Sequence, residues 1–191
     1  MLAAGSGLRF GGAKLTAPWR GGRLIDGALA AAFAAPARSV TVVTGADPMV
    51  EPAARAFAEA HGETQRLRLV HAPDHAEGMA APLRTGVASL PDDAAGAFVF
   101  LGDMPLIPPA ILPRLAGALA AGAQAAAPAF EGRRGHPVLF SATLFPALAA
   151  LKGDEGARRV LMTLGDRLAI VESPDDGVLV DVDWPSDLQG R

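Results

Sequence analysis

The chain has 191 residues, half of them hydrophobic and 19% charged, which suits one domain with a sizeable core and is too little for two ordinary ones. Its formal net charge of −3 gives no general electrostatic reason to bind nucleic acid or an anionic membrane, and the absence of cysteine excludes disulfides and thiolate ligands. With no apolar run of the roughly 18 residues that a membrane span needs, and no basic-plus-apolar leader, the expectation is a soluble cytoplasmic protein forming a single domain over 1–191.

Apolar periodicity then sets out the elements in chain order. An alanine-rich stretch at 28–37 predicts a helix limited by Pro36. The β-branched run 40–44 stops at Gly45 and reads as a buried strand, with a helix over 48–60 behind it. Residues 67–70 form a second strand, and 78–90 a helix with Met79, Leu83 and Val87 on one face. The clearest strand, 97–101, runs straight into Gly102 and Asp103. A helix over 109–121 and a strand over 125–129 come next. The last third is less regular: a strand at 138–140, helices at 142–151 and 156–164, and strands at 168–171 and 178–182. Such alternation predicts an α/β fold whose mostly parallel sheet is covered on both faces, with ligands bound where strands end.

Chemistry-bearing residues stand at those ends. The opening segment holds Gly5, Gly7, Gly11 and Gly12 with Arg9 and Lys14 among them. Glycines permit positive φ, so successive backbone N–H groups can turn inward around phosphate oxygens, and the two cations add the charge a triphosphate demands. The spacing is neither the dinucleotide fingerprint, because the third glycine arrives one residue late, nor the P-loop, because Ala13 separates Gly12 from Lys14 and Leu15 replaces the hydroxyl. A glycine turn without a ligand is the competing reading. Lys14 and Lys152 are the only lysines, all other basic residues being arginine. Lys14 therefore reads as a retained, compact, rotatable charge, with chance as the alternative.

Asp103 follows the strongest strand, and Pro105 forces the chain to turn there, leaving the carboxylate at the rim where Mg²⁺ binding is a natural role. A turn-forming or capping aspartate is the plainer reading. Residues 181–185 repeat the arrangement, and strand alternation puts Asp181 and Asp183 on one face, so that one could be a second metal ligand beside the reading of a solvated strand face.

Leu2-Ala3-Ala4-Gly5 with Gly7, Arg9, Gly11-Gly12 and Lys14, then Glu77-Gly78-Met79 with Leu83-Arg84, residues 101–105, 132–137, 153–158 and Asp181-Val182-Asp183 occur in this order. Over nearly the whole chain this resembles the bacterial molybdenum cofactor cytidylyltransferases, within the MobA-like nucleotidyltransferase superfamily. The resemblance implies a Rossmann-like three-layer nucleotidyltransferase fold, with CTP and molybdopterin as substrates, Mg²⁺ as the metal, and a molybdenum hydroxylase as a possible client. It places Leu2, Ala3, Ala4, Gly5, Gly7, Arg9, Gly12, Lys14, His71, Gly78, Arg84 and Asp103 along the nucleotide. Among these, Lys14, Arg9 and Asp103 carry the reaction. Asp103 and Asp183 hold the metal, and Arg133, Gly135 and His136 face the acceptor. For His71 and His136 an ordinary core or surface histidine is the alternative.

Guanylyl-transferring relatives have Gly-Gly where this chain has Ala4-Gly5 and a different segment in place of residues 78–84, and both differences favour CTP. Three features depart from the family. Ala80, Ala81 and Pro82 stand where serines are usual, and Trp184 replaces the usual threonine. The first strand is truncated, because Met1 directly precedes Leu2. An upstream start encoding an apolar strand is the expectation from that last feature. Two other readings stand beside cytidylyl transfer: transfer to a sugar phosphate or similar phosphorylated acceptor, and a weakly catalytic carrier of the molybdenum cofactor for a hydroxylase.

Overall fold

The computed structural model describes residues 1–188. Its elements are β1 (Leu2–Ala3), β2 (Pro18–Trp19), β3 (Gly22–Arg23), α1 (Leu24–Ala34), β4 (Val40–Thr44), α2 (Val50–Ala60), β5 (Leu67–His71), α3 (Ala80–Ala88), β6 (Gly96–Val99) and α4 (Ile111–Ala120). The later ones are β7 (Ala125–Phe130), β8 (Arg133–Arg134), β9 (Val138–Ser141), α5 (Phe145–Ala149), α6 (Arg158–Met162) and β10 (Leu168–Glu172).

β5, β4 and β1 pair in parallel, with Thr44 opposite both Ala3 and His71. A parallel bridge from Leu2 to Leu101 carries the sheet across to β6, then to antiparallel β9, β7 and parallel β10. The small β8 pairs antiparallel with β7. Side chains alternate across this sheet as the pleat requires. Val40, Val42, Ala126 and Leu139 join α1, α2 and α4 in one core. Ala125, Ala127, Val138 and Phe140 join α3, α5 and the Val160–Leu161 face of α6 in the other. The result is the expected three-layer α/β architecture, and among the described residues no helix is long and apolar enough to cross a membrane.

Two elements differ from the reading of the sequence. The first helix runs over Leu24–Ala34 rather than 28–37, entering where Asp26 Oδ2 accepts the Arg23 N–H at 2.8 Å. Residues 178–182 form no strand. A 3-10 turn occupies Asp176–Leu179, fixed where Asp175 Oδ1 accepts the Gly177 N–H at 2.8 Å. A Cβ at Gly177 would lie 2.0 Å from the Leu106 carbonyl oxygen, so close packing on the 103–107 loop wins over extension. The alternation argument for Asp181 and Asp183 falls with that strand.

β1 is as short as expected, yet it is central. The Met1 amino group donates to the Thr41 carbonyl at 2.6 Å, and burial pushes its pKa down to about 5. Behind it, at the amino ends of β4 and β6, lies an apolar cavity of ≈ 560 Å³ lined by Val40, Thr41, Phe98 and Leu139 among others. It is at the opposite end of the sheet from the candidate site.

Candidate active site

Three chain segments meet at the carboxyl ends of β1 and β6. The glycine loop leaves β1, turns through Leu8–Phe10 as a 3-10 helix, and closes with Gly12 N–H donating to Gly7 O at 3.1 Å. Gly7, Gly11 and Gly12 have φ of 59°, 95° and 98°, the left-handed region where a Cβ is strained. Ala13 also has φ of 46°, and this turn swings Lys14 back over Gly7. Asp103 stands one residue past Gly102, whose N–H donates to Leu2 O at 2.9 Å. The Val182 N–H donates to Asp103 O at 3.0 Å, bringing in Asp183 from the far end of the chain.

Lys14 is the centre of this meeting. Its Nζ donates to Asp103 Oδ2 at 2.7 Å and to Asp183 Oδ1 at 3.2 Å, while Arg9 pairs with Asp183 at 3.5 Å. The lysine side chain is only 13% exposed, against 74% for Arg9. Burial pulls the Lys14 pKa down, but Asp103 and then Asp183 outweigh it, and the net shift is upward. The ammonium therefore stays charged. Arg9, Lys14, Asp103 and Asp183, separate in sequence, thus form one cluster of two cations and two carboxylates.

His136 lies on the Asp103 side. Its backbone N–H donates to Val178 O at 2.9 Å, and the bond to Pro137 is cis. Burial lowers the imidazole pKa, partly opposed by a hydrogen bond to the Val99 backbone and by the charge of Asp103, so the ring is neutral at neutral pH. Its Nδ1 is buried without a partner. Gly135 has a packing role: a Cβ there would lie 2.1 Å from Val178 O. Arg133 is exposed on the β7–β8 hairpin and lines a separate cavity with Phe130, Asp181 and Asp187.

The other candidate residues sit at the same edge of the sheet, away from Lys14. His71 ends β5, with its Nδ1 3.5 Å from Thr44 Oγ1 and its ring 6.0 Å from that of His75. Parallel strands lie about 4.8 Å apart, so His71 stands roughly 10 Å from Ala3 with Thr44 between them. Ala4 is buried, and its Cβ lies against Gly45, where an added Cβ would come within 2.7 Å of it. That methyl is committed to packing and does not itself limit the approach of a base. Gly78, with φ of 116°, is pressed against Gly153 and Asp154, while Ala80 N–H donates to Gly153 O at 3.0 Å. The 153–158 motif therefore buttresses the Glu77-Gly78-Met79 loop. Arg84 donates to Leu151 O at 3.0 Å and pairs with Glu77 at 3.3 Å, tying α3 to the same buttress. Gly27 escaped the sequence reading: a Cβ there would lie 2.5 Å from Pro105 O. A glycine inside an alanine-rich helix was the available signal, since it lets α1 touch the turn that carries Asp103.

Among the described residues no group of three or more His, Cys, Asp or Glu side chains could hold a metal. Asp103 and Asp183 offer hard oxygen donors in contact with Lys14. Such a pair fits Mg²⁺, which is commonly held by one or two carboxylates and completed by phosphate oxygens and water. The Asp183 contact, longer and more exposed, is the one a cation would displace.

This architecture agrees with known proteins. The model of the MobA-like NTP transferase domain matches residues 1–168. The chain is 33% identical to the purine catabolism protein PucB of Bacillus subtilis, over 97% of this chain and 91% of that protein. It is 31% identical to nicotine blue oxidoreductase of Paenarthrobacter nicotinovorans, over 96% and 90%. Identity to the molybdenum cofactor cytidylyltransferase of Escherichia coli is 25%, over 98% and 91%. Among solved structures, the manganese complex of Rv0371C from Mycobacterium tuberculosis superposes with a TM-score of 0.75 at 26% identity, covering 100% of this chain and 96% of that one. With that domain model matched over residues 1–168 and relatives at 33% and 31% identity, the chain is a nucleotidyltransferase belonging to the family of MobA-like NTP transferase domains.

Proposed function

We propose that the protein transfers the cytidylyl group of CTP to the terminal phosphate of molybdopterin, forming molybdopterin cytosine dinucleotide and releasing pyrophosphate. The observation that carries this reading is the single ammonium of Lys14 spanning Asp103 and Asp183 beside Arg9. A phosphate oxygen of the acceptor forms a bond to the α-phosphorus as the bond to the β-bridging oxygen breaks, and the electron pair leaves with pyrophosphate. Such transfers need positioning and charge neutralisation more than covalent help from the protein. Lys14 and Arg9 neutralise the β- and γ-phosphates and the departing pyrophosphate. The glycine loop supplies N–H groups at short range because Gly7, Gly11 and Gly12 keep its backbone bare. Asp103 and Asp183 would hold Mg²⁺, which would supply positive charge against the charge that develops on the phosphates.

The cytidylyltransferase relative and the manganese-bound neighbour support the acceptor and the metal respectively. Two relatives of higher identity carry names that describe no cytidylyl transfer. A second reading therefore stands beside the first, in which the acceptor is another phosphorylated molecule or the protein delivers the molybdenum cofactor to a hydroxylase. Pyrophosphate release from CTP, with and without Mg²⁺ and molybdopterin, separates the readings. Release that requires all three supports the first, and an undiminished rate in Asp103→Ala refutes the metal assignment. Thermal stabilisation by GTP exceeding that by CTP refutes the choice of base.

A further inference from the structure

Trp184 follows Asp183 directly and is 53% exposed, although an indole is among the side chains with most to gain from burial. Its backbone is fixed. Asp187 Oδ2 accepts the N–H groups of both Asp183 and Trp184, at 2.9 and 2.8 Å, and the Asp187 N–H returns to Trp184 O at 3.0 Å. Pro185 stiffens the turn from the other side, and the bond from Val182 N–H to Asp103 O anchors the segment upstream. A rigid turn therefore presents a free aromatic surface one residue from the carboxylate that Lys14 and Arg9 hold. We propose that Trp184 is a specificity-determining residue that stacks on a planar heteroaromatic ring carried by the phosphorylated acceptor. This rests on the cytidylyltransferase reading above.

Placement in the sheet selects the acceptor rather than the nucleotide base. The glycine loop, Ala4, Gly45 and His71 belong to the β1–β4–β5 half. The segment bearing Trp184 packs on the other half, through Asp103 after β6 and through His136 N–H donating to Val178 O before β9. A phosphate held at Lys14 can thus carry a ring toward either half, and the indole serves only the second. Stacking favours a flat, aromatic acceptor ring, whatever its polar edge.

The test compares steady-state kinetics of wild type, Trp184→Ala and Trp184→Phe with CTP, Mg²⁺ and molybdopterin. Trp184→Ala should raise KM for molybdopterin by about 5- to 100-fold, the range for loss of one stacking contact. KM for CTP should stay within about twofold, and Trp184→Phe should recover much of the loss. In a Trp19→Phe background Trp184 is the only tryptophan, and its emission should be quenched by molybdopterin but not by CTP. Absence of turnover in the wild type overturns the cytidylyltransferase reading and this inference with it. Normal turnover with an unchanged KM for molybdopterin in Trp184→Ala, or quenching by CTP alone, overturns this inference and leaves the reading standing.

Discussion

Replacing Lys14 with methionine keeps the aliphatic stem and removes the charge on which the cluster depends. The bond to Asp103 is short, at 2.7 Å, between side chains 13% and 26% exposed, so it merits the full value of a charged hydrogen bond, about 2 kcal/mol. The bond to Asp183 is longer, at 3.2 Å, and that carboxylate is 40% exposed. Solvent screening brings its share below about 1 kcal/mol. Lys14→Met should therefore destabilise the protein by roughly 2–3 kcal/mol, a fall of about 5–10 °C in Tm for a domain of this size. It also leaves Asp103 without its ammonium partner, and Asp183 with the exposed Arg9 at 3.5 Å. Mn²⁺ or Mg²⁺ should then raise the Tm of the variant more than that of the wild type, although nucleotidyl transfer drops by about 10²- to 10³-fold, as when a charge-stabilising donor is removed. Differential scanning fluorimetry with a cation titration, alongside pyrophosphate release, reads both effects. An unchanged Tm, with a cation response no larger than that of the wild type, would show that Lys14 does not compete with a metal for these carboxylates.

Three further outcomes follow from the geometry. Gly135→Ala should cost about 3 kcal/mol or more in denaturant unfolding, because its Cβ would lie 2.1 Å from the Val178 carbonyl and break the His136–Val178 hydrogen bond. By contrast, Gly117→Ala meets no atom within 4 Å on an exposed face of α4, and should stabilise by about 0.5–1 kcal/mol in the same measurement. With a free Met1 amine whose pKa falls from 8.0 to about 5 on folding, the unfolded state binds more protons between those values. Stability should therefore rise with pH across that window by roughly 4 kcal/mol, and acetylating the amine should flatten the rise.

Local signals were legible where one physical term dominates. The β-branched run 40–44 became β4 over the same residues, because a strand covered on both faces reads as a near-continuous β-branched run rather than as an alternation. Lys14 and Asp103 stood out as charges at strand ends, and the structure joins them. What the sequence hid was long-range packing. Residues 178–182 have a strand's composition, but Gly177 against Leu106 and Val182 against Asp103 hold them in a turn and a loop. Arg84, placed along the nucleotide by resemblance, bonds the Leu151 carbonyl, which no local pattern discloses. Gly27, which the sequence did not single out, and Gly135, placed at the acceptor by resemblance, are close-approach positions, each decided by a carbonyl distant in the chain.

The shortness of β1 raises the question of how a two-residue strand can aim the glycine loop. The answer lies in its bonds to both neighbours. Leu2 donates to Phe100 O at 2.8 Å and accepts from Gly102 N–H at 2.9 Å, while Met1 O accepts the Val43 N–H at 2.9 Å on the other side. Each rung fixes the strand against a separate half of the sheet, so register is set twice within two residues. Gly102 sharpens the constraint: a Cβ there would lie 3.2 Å from both Leu2 O and Leu15 Cδ1. The start of the glycine loop, its return at Leu15 and the loop carrying Asp103 therefore meet at one position. Lys14 is placed by both ends of its own loop, with Leu2 before it and Leu15 after it. That double anchor, rather than the length of β1, delivers its ammonium to Asp103.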